Sequence, residues 1–178
     1  MKKSHTRLIR EHNITAAYPL SLYNKMIDHA LSTNEIYELI SRNKKALKVF
    51  HGVFSADQIP KLPLGKCIIV NCCTADRLGI HWVSLYRKSN KIIELFDSTG
   101  NKPRFYQDIV WPKCEIIQYN VNRIQAKNTS SCGFFCMIYC YYKEQNLNLK
   151  NIISKFKLSN LIKNDIKVFK LSKILFKI

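Results

Sequence analysis

Four side chains of the sequence have types that together support nucleophilic catalysis: His81, Asp97, Gln125 and Cys132. A cysteine beside a histidine can act as a nucleophile, and a carboxylate can orient the imidazole and stabilise the imidazolium. A side-chain amide can join the backbone N–H of the cysteine as a hydrogen-bond donor to an oxyanion. The four residues therefore point to acyl-transfer chemistry, provided that the fold brings them together.

Cys132 lies between a polar, loop-like segment (127–131) and an apolar segment (134–142). This pattern predicts a helix with Cys132 at or just before its N-terminus, where unpaired amides and the helix dipole favour the thiolate. Gly133 is expected to leave the backbone beside the sulfur uncrowded, so that a substrate carbonyl can approach. The alternative is that Cys132 is a small apolar residue that opens a core helix, since free cysteines are mostly buried.

His81 opens a segment of alternating strand formers (81–86), and Asp97 directly follows the next predicted strand (92–96) in a turn. If these strands form a hairpin, both side chains lie at the same end of the sheet, where the carboxylate can bind the imidazole. Each residue also has a structural interpretation: a histidine that begins a strand, or an aspartate in a turn. Gln125 alone indicates little, and only the combination of the four residues favours a catalytic site.

The remaining elements predict the fold. Further strands are expected at 67–70 and 114–119, with a long loop at 49–60. Helices are expected at 18–30, at about 34–48, after Cys132, and in a lysine-rich tail at 147–178. Short adjacent strands flanked by helices predict an α+β domain with a central, mainly antiparallel sheet. The length of 178 residues and the 47% of apolar residues fit a single domain over 1–178.

Charge and cysteine content bear on partners and environment. The net charge is +17, with a basic arm at 1–10 and eight lysines against the single acid Asp165 in 150–177. Such a chain is expected to bind polyanions such as DNA at low salt, although the lysines also fit plain solvated faces. Seven cysteines without regular spacing suggest reduced thiols inside a cell. The absence of an 18-residue uncharged apolar run predicts a soluble chain without a membrane span.

Cys132, Cys136 and Cys140 are four residues apart and would share one helix face. This spacing raises the question of a metal site. The residues between them are apolar, and no histidine is close in sequence. We therefore interpret Cys136 and Cys140 as core residues and expect no zinc or other metal.

The chain resembles the adenovirus-type maturation proteases (adenains), and the versions in virophages and Polinton-like mobile elements are the most similar. The resemblance covers roughly residues 49–142, and the order His, acid, Gln, Cys excludes the papain order, in which the cysteine comes first. The matching motifs are Gly52-Val-Phe54, Asp57-Gln-Ile-Pro60, Gly79-Ile-His81-Trp82, Phe96-Asp97-Ser98-x-Gly100, Gln125, and Ser131-Cys132-Gly133-x-Phe135-Cys136.

The resemblance implies a papain-like, adenain-like fold and cysteine endopeptidase activity. It makes Cys132 the nucleophile, His81 the base, Asp97 the orienting acid and Gln125 the oxyanion donor. Adenovirus enzymes carry Glu at the position of Asp97, whereas Asp is usual in the related SUMO- and ubiquitin-like-protein proteases.

The adenovirus enzymes are also stimulated by DNA and by a short capsid-derived peptide, which is disulfide-linked to a cysteine eighteen positions before the nucleophile. Cys114 is eighteen positions before Cys132 here, and Gln125 is eleven positions after it. The resemblance thus implies a peptide cofactor at Cys114, with a strand cysteine at a coincidental position as the alternative. Pro112 predicts that the strand beginning near Cys114 lies at a sheet edge.

From the resemblance we expect a monomeric viral or virus-like maturation protease that cleaves capsid or core precursor proteins in the host cell interior and in the virion. One alternative is a SUMO- or ubiquitin-like-protein protease of the same clan, although the short chain lacks an obvious additional modifier-binding region. The other alternative, from a different class, is an inactive, DNA-binding, capsid-associated protein that keeps the protease fold.

Overall fold

The computed structural model describes residues 29–178, which form a five-stranded sheet with helices packed around it. The predicted basic arm (1–10) and all but the last two residues of the predicted helix at 18–30 lie outside the described residues. The helices are α1 (Thr33–Ser41), α2 (Lys44–Val49), α3 (Cys132–Glu144), α4 (Leu149–Ile153) and α5 (Leu161–Phe176). The strands are β1 (Phe50–Phe54), β2 (Cys67–Asn71), β3 (Trp82–Arg87), β4 (Ile92–Phe96) and β5 (Ile116–Tyr119), and a 3-10 turn spans Pro103–Phe105.

The strands lie in the order β1-β2-β3-β4-β5. The inner pairs, β2–β3 and β3–β4, are antiparallel, whereas the edge strands β1 and β5 join in parallel. The predicted α+β class, with a central sheet flanked by helices, is confirmed, and the sheet is mixed because of its two edges. The predicted hairpin between the strands at 81–86 and 92–96 corresponds to the β3–β4 pair.

Strand β1 was expected to be a loop, and that prediction is wrong. Gly52, which favours a loop interpretation, lies at an irregularity in the β1–β2 register between Phe50 and Gly52. Its φ is +153°, and a Cβ at this position would lie 2.7 Å from the ring of Phe54. Glycine therefore marks a bulge inside a strand here.

The single helix predicted at about 34–48 is divided into α1 and α2. The side chain of Asn43 accepts hydrogen bonds from the amides of Lys45 and Ala46, at 3.0 Å each, and so begins a new helix. Helix α1 begins with Ser32 as its N-cap, in a capping box with Glu35, slightly before the expected start.

Alternating side chains of the sheet enter two separate apolar clusters. Cys67 and Ile69 of β2 face α3 and belong to the larger cluster, whereas Ile68 and Val70 lie on the other face of the sheet in the smaller cluster. Every residue of α3 except Glu144 is buried, so this helix is the centre of the larger cluster. Helices α1 and α5 pack around α3, and among residues 29–178 no helix is long and apolar enough to cross a membrane.

The predicted lysine-rich helical tail is present as α4 and α5. Helix α5 places Val168, Phe169 and Phe176 in the core, and of its four lysines Lys163 is exposed and the other three are half-buried. It also buries three polar residues, Asn164, Asp165 and Ser172, of which the first two face the loop before α3.

Candidate active site

His81 and Asp97 lie at the same end of the β3–β4 hairpin. His81 directly precedes β3 and Asp97 directly follows β4, and the antiparallel register brings these two strand ends together. The imidazole Nε2 lies 2.7 Å from the carboxylate Oδ1. The structure thus brings together the pair that the sequence suggested.

The carboxylate of Asp97 is fully buried and is held by several donors. Its Oδ1 accepts from the amide of Thr99 at 2.8 Å, and its Oδ2 accepts from the amide of Asn101 at 2.7 Å and the hydroxyl of Tyr106 at 2.6 Å. Burial alone would raise the pKa of Asp97, but the bonds from His81, Tyr106 and Thr99 lower it to about 2. Asp97 is therefore ionised at neutral pH and fixed in orientation.

The pKa of the His81 imidazole is raised, whereas that of Asp97 is lowered. Burial lowers its pKa, but the hydrogen bond to Asp97 and the interaction with Cys132 outweigh burial and raise the pKa to about 9. At neutral pH the ring is therefore an imidazolium in contact with two groups that carry or can carry negative charge.

Cys132 is the first residue of α3, as the sequence predicted. Ser131 is the N-cap, but its hydroxyl donates to Asp165 at 2.9 Å and accepts no bond from a helix amide. A Cβ at Gly133 would lie 3.2 Å from the side chain of Leu31, so its missing side chain also makes room for core packing. That it leaves the sulfur open to a substrate carbonyl stays a prediction.

Gln125 is buried in the loop before α3, and both ends of its side-chain amide are held. Its Oε1 accepts from the hydroxyl of Ser98 at 2.6 Å, and its Nε2 donates to the carbonyl of Thr129 at 2.7 Å. A longer contact of 3.3 Å joins the same Nε2 to the Thr129 hydroxyl. Gln125, His81 and Cys132 line one cavity of about 560 Å³.

Cys114 lies away from this cavity. It is half-buried in the segment just before β5, which is the edge strand of the sheet, and it packs against the smaller apolar cluster. The strand predicted at 114–119 begins at Ile116, so Cys114 itself is outside the ladder. The structure thus separates Cys114 from the other four predicted site residues.

Cys136 and Cys140 are fully buried in the core, where the sequence interpretation placed them. Burial raises the pKa of both thiols. Among residues 29–178, no group of three or more His, Cys, Asp or Glu side chains is arranged to hold a metal ion.

Reasoning from the sequence missed three residues that support the site. Tyr106 fixes Asp97, Ser98 fixes Gln125, and Asp165 reaches the loop before Cys132 from a distant helix. Ser98 and Tyr106 carry no local pattern that distinguishes them. Asp165 did carry a signal, because it is the only acid in a lysine-rich helix, and a buried acid in such a helix requires partners.

No family model and no curated protein sequence matches the chain. Among solved structures, the selenomethionine form of the ASFV pS273R protease is similar, with 20% identity and a TM-score of 0.41. That match covers 63% of this chain and 44% of the protease, so the chain spans less than half of its length. The central domain of the uncharacterized Lpg1148 protein from Legionella pneumophila is similar with 14% identity and a TM-score of 0.41, over 82% of this chain and 98% of that domain.

Proposed function

We propose that the chain is a cysteine endopeptidase with Cys132 as nucleophile, His81 as general base and acid, Asp97 as orienting acid and Gln125 as oxyanion donor. The observation that carries the proposal is the buried His81–Asp97 hydrogen bond of 2.7 Å beside a cysteine at a helix N-terminus. His81, Gln125 and Cys132 come from three separate segments and meet on one cavity. The motif resemblance over residues 49–142 supports the same assignment.

In the proposed mechanism, the Cys132 thiolate attacks the scissile carbonyl carbon and forms a tetrahedral intermediate. The imidazolium of His81 donates its proton to the leaving amine as the C–N bond breaks, which leaves a thioester on Cys132. His81 then takes a proton from water, which attacks the thioester and releases the acid. Asp97 keeps the imidazole oriented and stabilises its charged form throughout.

The oxyanion would be bound by the backbone N–H of Cys132 and the side-chain amide of Gln125. One amide hydrogen of Gln125 is engaged by the Thr129 carbonyl at 2.7 Å. We assign the second hydrogen to the oxyanion, because its contact with the Thr129 hydroxyl is long, at 3.3 Å. Ser131 leaves the helix amides uncapped by its side chain, which supports a role for them in binding negative charge.

For the biological role, we propose a virus-like maturation protease that cleaves capsid or core precursors in the host cell and the virion, on the basis of the motif resemblance. DNA and a peptide linked to Cys114 are its proposed activators. The net charge of +17 supports DNA contact, and the position of the half-buried Cys114 beside an edge strand supports peptide addition. A ubiquitin-like-protein protease is the second candidate, which the aspartate at position 97 favours.

The test compares the wild type with Cys132→Ala on two substrate panels, candidate capsid precursors and ubiquitin-like-protein precursors. Cys132→Ala should lower hydrolysis by ~10³-fold or more, because it removes the nucleophile, while circular dichroism and the melting temperature stay near those of the wild type. His81→Ala should also be inactive, and His51→Ala, which changes an exposed histidine of β1, should be active. Near-normal turnover by folded Cys132→Ala would falsify the proposal, and hydrolysis of only the second panel would select the second candidate.

A further inference from the structure

The buried carboxylate of Asp165 connects the C-terminal helix α5 to the loop at 126–131, which we call the nucleophile loop because Cys132 follows it. Its Oδ1 accepts from the hydroxyl of Ser131 at 2.9 Å. Its Oδ2 accepts from the amide of Ala126 at 3.2 Å and from the hydroxyl of Thr129 at 3.3 Å. One side chain therefore binds the first, a middle and the last residue of the nucleophile loop.

This contact bears on Gln125 through Thr129. The Nε2 of Gln125 donates to the carbonyl of Thr129, so the orientation of the amide depends on where Thr129 is held. Beside Asp165, the side chain of Asn164 donates to the carbonyl of Ile124 at 2.9 Å and fixes the residue just before Gln125. Helix α5 thus holds the backbone on both sides of the proposed oxyanion donor.

The contact bears on Cys132 through Ser131. A serine at the N-cap normally accepts a hydrogen bond from an amide of the first helical turn. Here its hydroxyl is oriented toward Asp165 and makes no bond to the helix amides. Because the Ser131 hydroxyl bonds Asp165, it does not cap the amides at the N-terminus of α3. Those amides, beside Cys132, stay available to a thiolate or an oxyanion.

A buried carboxylate without a cation is costly, and its presence requires an explanation. Asp165 has no solvent exposure, and within residues 29–178 it forms no ion pair with a lysine, arginine or histidine. Burial raises its pKa to about 6, although the bonds from Ser131, Ala126 and Thr129 lower it in part. Its hydrogen bonds within the described residues all go to the nucleophile loop.

We propose that Asp165 is a positioning residue of the site, which fixes the nucleophile loop so that Gln125 faces the oxyanion and the N-terminus of α3 stays open at Cys132. This inference rests on the proposed function. The effect on catalysis should be large, because a displacement of about 1 Å in a site can cost ~10²-fold in rate.

The test uses Asp165→Ala and Asp165→Asn in the full chain, with Ser172→Ala as the matched control. Ser172 lies on the same helix, is fully buried, and its hydroxyl has no hydrogen-bond partner among the described residues. Two readouts are measured: the rate of alkylation of Cys132 by iodoacetamide, identified by mass spectrometry, and kcat and KM on a peptide substrate.

Asp165→Ala should lower kcat by ~10- to 100-fold with little change in KM, and should slow the alkylation of Cys132 by about 10-fold, because the freed Ser131 hydroxyl caps the helix. Asp165→Asn keeps one acceptor oxygen and should recover part of both losses, and Ser172→Ala should match the wild type. A folded Asp165→Ala variant with wild-type kcat and alkylation rate would overturn the inference.

If Asp165→Ala does not fold, Ser131→Ala decides the question, since it breaks the bond to Oδ1 from the loop side and removes only one buried oxygen atom. It should loosen the end of the nucleophile loop beside Cys132 and lower kcat, and unchanged kcat would overturn the inference. If the wild type hydrolyses no peptide at all, the proposed function fails. The alkylation rates still determine whether Asp165 positions Cys132.

Discussion

The Nε2 atom of His81 lies 2.7 Å from Oδ1 of Asp97, and the carboxylate has no exposure to solvent. The donors around Asp97 keep it ionised, and its charge in turn keeps His81 protonated, with a pKa of about 9. The protonation state of His81 therefore depends on the buried negative charge of Asp97. The first two predictions concern this dependence.

The first prediction concerns the pH dependence of activity. In the wild type, kcat/KM should decline on the alkaline side near pH 9, where His81 loses its proton. Asp97→Asn weakens one of the two interactions that raise this pKa, so the alkaline limb should move to lower pH. Turnover should decrease less than in His81→Ala, for which a loss of ~10²- to 10⁴-fold is expected, and Asp97→Glu should be tolerated.

The control is Glu115→Gln, which changes an exposed acid paired with Lys91 near the sheet edge. Its pH–rate profile should match that of the wild type. Identical profiles for Asp97→Asn and the wild type would show that the acid has been misassigned.

The second prediction concerns stability at acid pH. The pKa of Asp97 is lowered from 3.8 to about 2 in the folded protein, so the ionised form stabilises the fold. This contribution is fully present above pH 4 and is lost as pH falls through 2. The difference in unfolding free energy between the wild type and Asp97→Asn, measured by urea titration, should therefore shrink between pH 5 and pH 2. A difference that stays constant over this range would contradict the assignment of Asp97 as an ionised, buried group.

The third prediction concerns DNA. The net charge of +17 predicts sequence-independent binding whose logarithmic affinity decreases with log salt by about 0.9 per contacted phosphate. Replacing the exposed lysines Lys150, Lys157 and Lys163 with alanine should reduce that slope by about two to three. Fluorescence anisotropy on two unrelated duplexes at several salt concentrations measures it.

A matched control replaces three exposed lysines elsewhere, Lys61, Lys91 and Lys102, and changes the net charge equally. If both triple variants lose the same affinity, only total charge matters and the tail is not the binding surface. Strong preference for one duplex, or no binding at low salt, would contradict the prediction as a whole.

The fourth prediction concerns thiol accessibility. Cys114 is half-buried, whereas Cys67 and Cys136 are fully buried and Cys132 lines the cavity. Mild labelling of the folded protein should therefore modify Cys114 and Cys132 quickly and leave Cys67 and Cys136 protected. Mass spectrometry after short labelling times distinguishes the four sites. A Cys114 as unreactive as Cys67 would remove the support for a disulfide-linked peptide cofactor.

Local patterns in the sequence predicted the parts of the site that depend on local structure. The alternation at 81–86 and the turn at 97–100 fix the ends of a hairpin, and this places His81 beside Asp97. The change from a polar to an apolar segment marks the start of α3 at Cys132. These features rest on periodicity and turn chemistry within about ten residues, which a sequence displays directly.

The features that were missed depend on distant contacts or on side-chain exceptions. Strand β1 contains Gly52 at a register irregularity, so its pattern was interpreted as a loop, and its parallel pairing with β2 is not encoded in neighbouring residues. Asn43 divides one expected helix into two by capping the second. Asp165 meets Ser131 across 34 positions of the chain, and its place as the only acid of a lysine-rich helix does not indicate which residue it contacts.

The position of α5 near the end of the described chain has a consequence for synthesis. A nascent chain that has emerged from the ribosome only as far as residue 160 contains His81, Asp97 and Cys132 but lacks the helix that carries Asn164 and Asp165. It also lacks Val168, Phe169 and Phe176, which cover the larger apolar cluster around α3. The proposed protease would therefore gain its activity only once translation has passed α5, and polypeptides still being made nearby would not be exposed to a competent enzyme.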